Sequence, residues 1–279
     1  MPKRVRLDTE MVRRNLATSR NQAQQLIAGG KVYVDGMEAL KPARQVELGA
    51  AIVVRDTEQV HYVSRGAHKL LGALDYLELY GPRQPEIEGA VCLDAGASTG
   101  GFTDVLLRRG AKRVFAVDVG YGQLAWKLRT DSRVVNLERT NARTLDPALI
   151  DPPADLVVGD LSFISLSLVL PALLRCAQER AEFLLMVKPQ FEIGRERLGS
   201  GGVVRDASQR IETIIEVASE AQRLGLAVQQ VAPAGVAGPA GNVEYFLYLA
   251  RPAAVALAML EGEALVAACD AAVARGPQS

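Results

Sequence analysis

From Val91 onward the chain alternates short, nearly uninterrupted apolar runs with helix-length segments, and this alternation limits its fold more than any other feature. "AVCLDAG", "AKRVFAVDVG", "RVVNLERT", "ADLVVGDLSF", "EFLLMVKPQF" and "NVEYFLYLAR" read as strands. Between them, "GFTDVLLRRG", "SLVLPALLRCA" and "RIETIIEVASEAQRLG" read as helices. Strands that are apolar on both faces must be covered on both faces, so the pattern predicts an α/β domain with a doubly wound, mainly parallel sheet. Ligands of such sheets bind outside the carboxyl ends of the strands. Residues that directly follow the apolar runs are therefore the first candidates for chemistry.

The segment before this sheet has a different grammar. Asp8 is positioned to cap a short helix through Leu16, and Ser19 to cap a second, "RNQAQQLIAGG", stopped by Gly29 and Gly30. "KVYVDG" then alternates and ends in an Asp-Gly turn, with "AIVVRD" as a later strand. These elements predict a small α+β module over residues 1–60, a linker at 61–66 and the sheet domain over 67–279. In the sheet domain Ser64 is expected to cap a helix carrying Leu70, Leu71, Leu74 and Leu77 at the 3.6-residue period.

Charge separates the same two regions. Lys plus Arg and Asp plus Glu both total 32, but residues 1–34 hold seven basic residues against Asp8 and Glu10 alone. The seven are Lys3, Arg4, Arg6, Arg13, Arg14, Arg20 and Lys31, and their clustering suits phosphate contacts as well as a solvated face. Three scattered cysteines and two histidines, His61 and His68, indicate neither a disulfide framework nor a metal site. Their reduced form suits the cytoplasm. No apolar stretch approaches a membrane span, and no membrane partner is expected.

The glycine-rich turn in "CLDAGASTGGFTDVLL" is the most informative loop. Gly96-x-Ser98-x-Gly100 fits a hydrolase nucleophile elbow, but both histidines precede Ser98, so the required base is missing from the expected order. The spacing after Gly96 also departs from the dinucleotide fingerprint. Asp94 at the strand end suits an amino-bearing ligand better than a pyrophosphate. The loop therefore points to S-adenosylmethionine, with Gly96, Gly100 and Gly101 allowing close backbone approach, Ser98 and Phe102 in the same loop, and Asp118 after the second strand accepting from ribose hydroxyls.

Asp160 follows the fourth strand, Lys188 the fifth, Glu244 opens the last, and Lys69 begins the preceding helix. Lys188, with apolar residues before it and Pro189 after it, reads as a desolvated amine able to take a proton from a hydroxyl. Its alternative is a snorkelling surface lysine.

Two resemblances gather these features. "TSRNQAQQLIAGGKVYVDGMEALKPARQV" resembles the S4-type RNA-binding domain of ribosomal proteins, which implies recognition of structured RNA by shape and phosphate. Lys69, Asp160, Lys188 and Glu244 resemble the K-D-K-E tetrad of FtsJ-like 2′-O-ribose methyltransferases. With "SRGAHKL", "DVGYGQLAW", "ERTNAR", "DLSFISL", "VKPQFE", "GGVVRD" and "GNVEYFLYL", the chain is similar to the TlyA family. The resemblance implies a Rossmann-like methyltransferase sheet, S-adenosylmethionine as cofactor, no metal, and methylation of cytidine 2′-hydroxyls in ribosomal RNA, with Asn141 and Arg143 either lining an adenine pocket or simply making a loop. It makes ribosomal subunits the partners, and the extended basic N-terminus implies both of them. The family's hemolysin label keeps a membrane-active reading open, and the RNA module keeps open an assembly factor or a pseudouridine synthase.

Overall fold

The structure, a computed structural model, describes residues 4–14, 16–17, 19–54, 61–194, 196–199, 201–238, 241–253 and 259–277. The chain forms two compact units, Met1–His61 and Tyr62–Ser279.

The first unit holds β1 (Arg4–Arg6), α1 (Leu7–Arg13), α2 (Arg20–Ala28), β2 (Val32–Val34), β3 (Met37–Glu38), β4 (Gln45–Glu47) and β5 (Ile52–Val54). Ser19 caps α2 as expected, its side chain accepting from the Gln22 amide. Asp35 and Gly36 take positive φ, 52° and 82°, and reverse the chain between β2 and β3. The expected first helix is shorter than the apolar pattern suggested, ending at Arg13 rather than Leu16. Asp8 does not cap it. It lies inside the first turn, fully buried, and accepts from Arg6, Arg20 and Gln24. Leu7, Met11, Ile27, Val32, Val34 and Val46 form the core of this unit.

The second unit is built on seven strands: β6 (Val91–Ala95), β7 (Arg113–Val117), β8 (Val134–Leu137), β9 (Ala154–Gly159), β10 (Ala177–Val187), β11 (Ala227–Pro233) and β12 (Tyr245–Ala250). Their order in the sheet is β11-β12-β10-β9-β6-β7-β8. The five strands from β10 to β8 are parallel, and β12 runs antiparallel to both β10 and β11. The sheet is thus mainly parallel, as the apolar runs required. β11 was not legible among them, because Gln229 and Gln230 interrupt "AVQQVAP" where a bulge shifts the register.

Alternate residues of each strand feed two cores. Leu93, Val157, Phe183 and Leu247 face one side, covered by α5 (Leu170–Arg175), α6 (Ala207–Arg223) and α7 (Gly262–Arg275). Cys92, Val158, Leu184 and Phe246 face the other, covered by α3 (Gly66–Tyr80) and α4 (Gly101–Arg108). The alanine-rich C-terminal segment, expected as a surface-packing helix or tail, buries Leu265, Cys269 and Ala272 in the first of these cores. Tyr62 and Val63, expected within a linker, pack against the second core, and the Val63 amide donates to Asp104. Ser64 does not cap α3 through its side chain. Instead its carbonyl accepts from the Ala67 amide.

Connections place the chain's ends of β6 and β9 side by side while their continuations diverge: β7 and β8 lie beyond β6, and β10 beyond β9. This is a topological switch point, where the loops splay apart and leave a crevice.

Candidate active site

The crevice is a cleft of about 1420 Å³ within the second unit, and Lys69, Asp160, Lys188 and Glu244 all line it. Each arrives by a different route. Asp160 follows β9 and Lys188 follows β10, both at carboxyl ends. Glu244 precedes β12, but β12 is antiparallel to β10 with Tyr245 opposite Val187, so the start of one strand meets the end of the other. Lys69 comes from the first turn of α3. That helix approaches very closely at Gly72, where an added Cβ would stand 2.2 Å from the Gly235 Cα. Any larger residue at Gly72 would push Lys69 away from Glu244.

The four side chains, two lysines and two carboxylates, form one cluster. Lys69 Nζ lies 2.7 Å from Glu244 Oε2 and 3.2 Å from Asp160 Oδ2, and Lys188 Nζ lies 2.5 Å from Asp160 Oδ1 and 3.9 Å from Glu244 Oε1. Lys188 and Glu244 are buried, with side-chain exposures of 6% and 1%, so Lys188 is not a snorkelling surface lysine. Burial lowers the Lys69 pKa, but Asp160 and Glu244 together raise it more, so Lys69 is held as the ammonium.

The glycine loop forms the adjoining wall. Asp94, fully buried, accepts from Thr103 Oγ1 at 2.6 Å through Oδ2, while Oδ1 has no hydrogen-bond partner among the described residues. Burial, partly offset by Thr103, pushes its carboxyl up to about 7. Gln190 Oε1, also in the cleft wall, is a second buried acceptor without a partner among the described residues. Gly96 has φ 85°, and its Cβ would come within 2.7 Å of the Asp160 carbonyl. Gly96, Ser98, Gly101 and Phe102 line the cleft, and Phe102 packs against Phe246 with ring centres 5.9 Å apart.

Three expected cofactor residues sit differently. Gly100 does not line the cleft. With φ 95°, its missing side chain makes room for Leu128 and Leu124. Asp118 anchors the loop, accepting from the Ser98 amide at 2.8 Å and the Gly120 amide at 2.7 Å. Asn141 is exposed and caps a short turn by accepting from the Arg143 amide, whereas Arg143 itself reaches the cleft. Sequence reasoning also missed Ser162, whose Oγ accepts from Lys188 Nζ at 2.8 Å. Its only signal was its place two residues beyond Asp160 in "DLSF".

These features fit S-adenosylmethionine. An unpaired buried carboxylate suits an amino group, and Gly96 and Gly101 in the loop at the end of β6 let the remainder approach the backbone closely. Among the described residues no cluster of His, Cys, Asp or Glu is placed to hold a metal ion.

In the first unit the expected RNA contacts divide. Arg13 and Arg14 both bind the buried Glu10, Arg6 and Arg20 bind the buried Asp8, and Arg4 pairs with Glu47. Arg14 is internal in function, donating also to the carbonyls of Ala50 and Leu48 at 2.7 and 2.6 Å. Arg6, Arg13 and Arg20 keep exposed faces, with side-chain exposures of 42%, 60% and 56%. Lys31 is half-buried, and Lys3 lies outside the described residues.

Residues 62–251 match the model of the FtsJ-like methyltransferases and residues 5–52 that of the S4 domain, and the chain belongs to the FtsJ-like methyltransferase family. Within it the chain is a TlyA-type member. It is 52% identical over 278 residues to the 16S/23S rRNA (cytidine-2′-O)-methyltransferase TlyA of Mycobacterium tuberculosis, covering 99% of this chain and 100% of that one. It is 32% identical to the 23S rRNA (cytidine-2′-O)-methyltransferase TlyA of Campylobacter jejuni, covering 85% and 96%. A solved structure of a hemolysin-named protein from Streptococcus thermophilus aligns with TM-score 0.69 and 34% identity over 99% of this chain and 96% of that one.

Proposed function

We propose that the protein transfers a methyl group from S-adenosylmethionine to the 2′-hydroxyl of cytidine in ribosomal RNA. The observation that carries this reading is the buried cluster of two lysines and two carboxylates at the mouth of the glycine-loop cleft. A hydroxyl is a poor nucleophile at neutral pH, and its reaction needs a proton acceptor and a positioned oxygen.

S-adenosylmethionine, when bound, supplies an electrophilic methyl group on a sulfonium. Asp94 and the loop from Gly96 to Phe102 hold it, and Asp118 keeps that loop in shape. Lys188 Nζ receives the 2′-hydroxyl proton, and Asp160 at 2.5 Å stabilises the ammonium that forms. Lys69, held as a cation by two carboxylates, orients Asp160 and Glu244 and offers positive charge to the developing oxyanion.

The S4-type unit supplies RNA affinity through the exposed faces of Arg6, Arg13 and Arg20, with Arg4 and Lys31, by phosphate contact. Assembled subunits in the cytoplasm are the proposed partners, and the relative named for both 16S and 23S RNA supports action on both. No helix among the described residues is long and apolar enough to cross a membrane.

The test is to incubate the protein with methyl-tritiated S-adenosylmethionine and undermethylated 16S and 23S RNA, as subunits and as naked RNA, and to digest the product to nucleosides. Label in 2′-O-methylcytidine is expected. Label on a base, or none with cofactor bound, contradicts the proposal.

A further inference from the structure

The tetrad leaves one polar neighbour of Lys188 without a role. Ser162 Oγ stands 2.8 Å from Lys188 Nζ and accepts a hydrogen bond from it, and Ser162 lines the cleft. Ser162 is exposed to the cleft, so water could satisfy its hydroxyl and burial does not force the pairing. The chain turns sharply just after it, with Phe163 at φ 64°, a conformation that non-glycine residues hold only when their surroundings impose it.

We propose that Ser162 is a positioning residue for methyl transfer: by accepting an N–H of Lys188, it aims the amine's lone pair at the substrate hydroxyl. This rests on the reading of Lys188 as proton acceptor. The neutral amine has two N–H donors and one lone pair. Asp160 Oδ1 at 2.5 Å is an obligate acceptor and takes one donor, and Ser162 Oγ takes the other. The lone pair then has only the remaining directions, which open on the cleft. Without Ser162 the amine rotates about its Cε–Nζ bond, and an N–H competes for the place where the lone pair is needed.

The step balances without Ser162 changing protonation. The 2′-O–H bond breaks and its proton forms the third N–H bond on Lys188. The oxygen's electron pair forms the bond to the methyl carbon, and the methyl–sulfur bond breaks with its electrons left on sulfur. A sulfonium charge is replaced by an ammonium charge, held by Asp160 and Ser162.

The experiment compares full-length wild type, Ser162→Ala, Ser162→Thr and Lys188→Ala by steady-state methylation of ribosomal RNA and by calorimetry of S-adenosylmethionine binding. Misplacement of a reacting group costs on the order of 10²-fold, so Ser162→Ala should lower kcat by about 10- to 100-fold. The KM for RNA and the cofactor Kd should stay within about 2-fold, since only an interaction of the chemical step is lost. Ser162→Thr, which keeps the hydroxyl, should recover most of kcat. Wild-type kcat in Ser162→Ala, a loss confined to KM or cofactor binding, or a threonine variant as slow as alanine would each overturn the proposal. An active Lys188→Ala would instead remove the reading beneath it.

Discussion

Both units of this protein set a pair of carboxylates against basic side chains, and they do so in opposite senses. In the N-terminal unit the anions are inside and the cations outside: Asp8 and Glu10 are 0% and 1% exposed, while Arg6, Arg13 and Arg20 reach solvent. In the catalytic unit both basic side chains are inside as well, Lys69 at 11% and Lys188 at 6%, and both line the cleft. The difference follows from the side chains. Arginine's planar fork clamps a carboxylate from the surface and still presents charge outward, which suits a scaffold that also meets phosphate. Lysine carries a single compact charge that can be withdrawn from water and can give up or accept a proton.

The sharpest way to break the comparison is to remove one ion-pair partner from each cluster. Asp160 is shared by both lysines, so Asp160→Ala leaves two enclosed lysines facing Glu244 alone. Breaking such a pair should cost on the order of 3 kcal/mol in denaturant unfolding of the catalytic unit and abolish methylation. In the N-terminal unit, Arg14→Ala removes donors from Glu10 and from two backbone carbonyls and should destabilise by about 1–3 kcal/mol. The exposed Arg13→Ala should leave the unfolding midpoint nearly unchanged but weaken RNA binding in a salt-dependent way.

Acid separates the clusters further. Asp94, pushed up to about 7, must be ionised to receive an amino group, so cofactor affinity should strengthen as pH rises through neutrality. Between pH 8 and pH 6 calorimetry should record a loss of about tenfold, and Asp94→Asn should flatten the profile. Glu10 behaves in the opposite way. Its bond to Arg13, partly offset by burial and reinforced by Arg14, holds it at about 2 against an ordinary 4.5. Its contribution to stability is therefore complete above about 4.5 and is lost as pH falls toward 2. Amide protection in α1 and α2 should fall over that window, and Glu10→Gln should reduce the dependence, leaving the part carried by Asp8, which its bond to Arg6 also lowers.

Much of this was legible from sequence because it depends on period and order. Apolar runs on both faces required a covered parallel sheet, and strand ends located Asp160 and Lys188. The rest depends on contacts between distant residues. Nothing local shows that Gly100 is small for Leu128, that Gly72 and Gly235 touch, or that Asp8 abandons a cap to serve Arg6, Arg20 and Gln24. The polar pair in β11 hid a strand whose burial is decided by its neighbour β12. Ser162 was invisible because a lone serine has no period, and its meaning comes only from standing beside Lys188.

The measurement that bears most directly on the account is the single-turnover rate of Lys188→Ala on ribosomal RNA, with cofactor binding measured on the same sample. Acid–base assistance contributes about 10²–10⁴-fold, so the rate should fall by that range while the cofactor Kd stays near wild type. A rate close to wild type with cofactor bound would contradict the assignment of the buried cluster as the reacting centre.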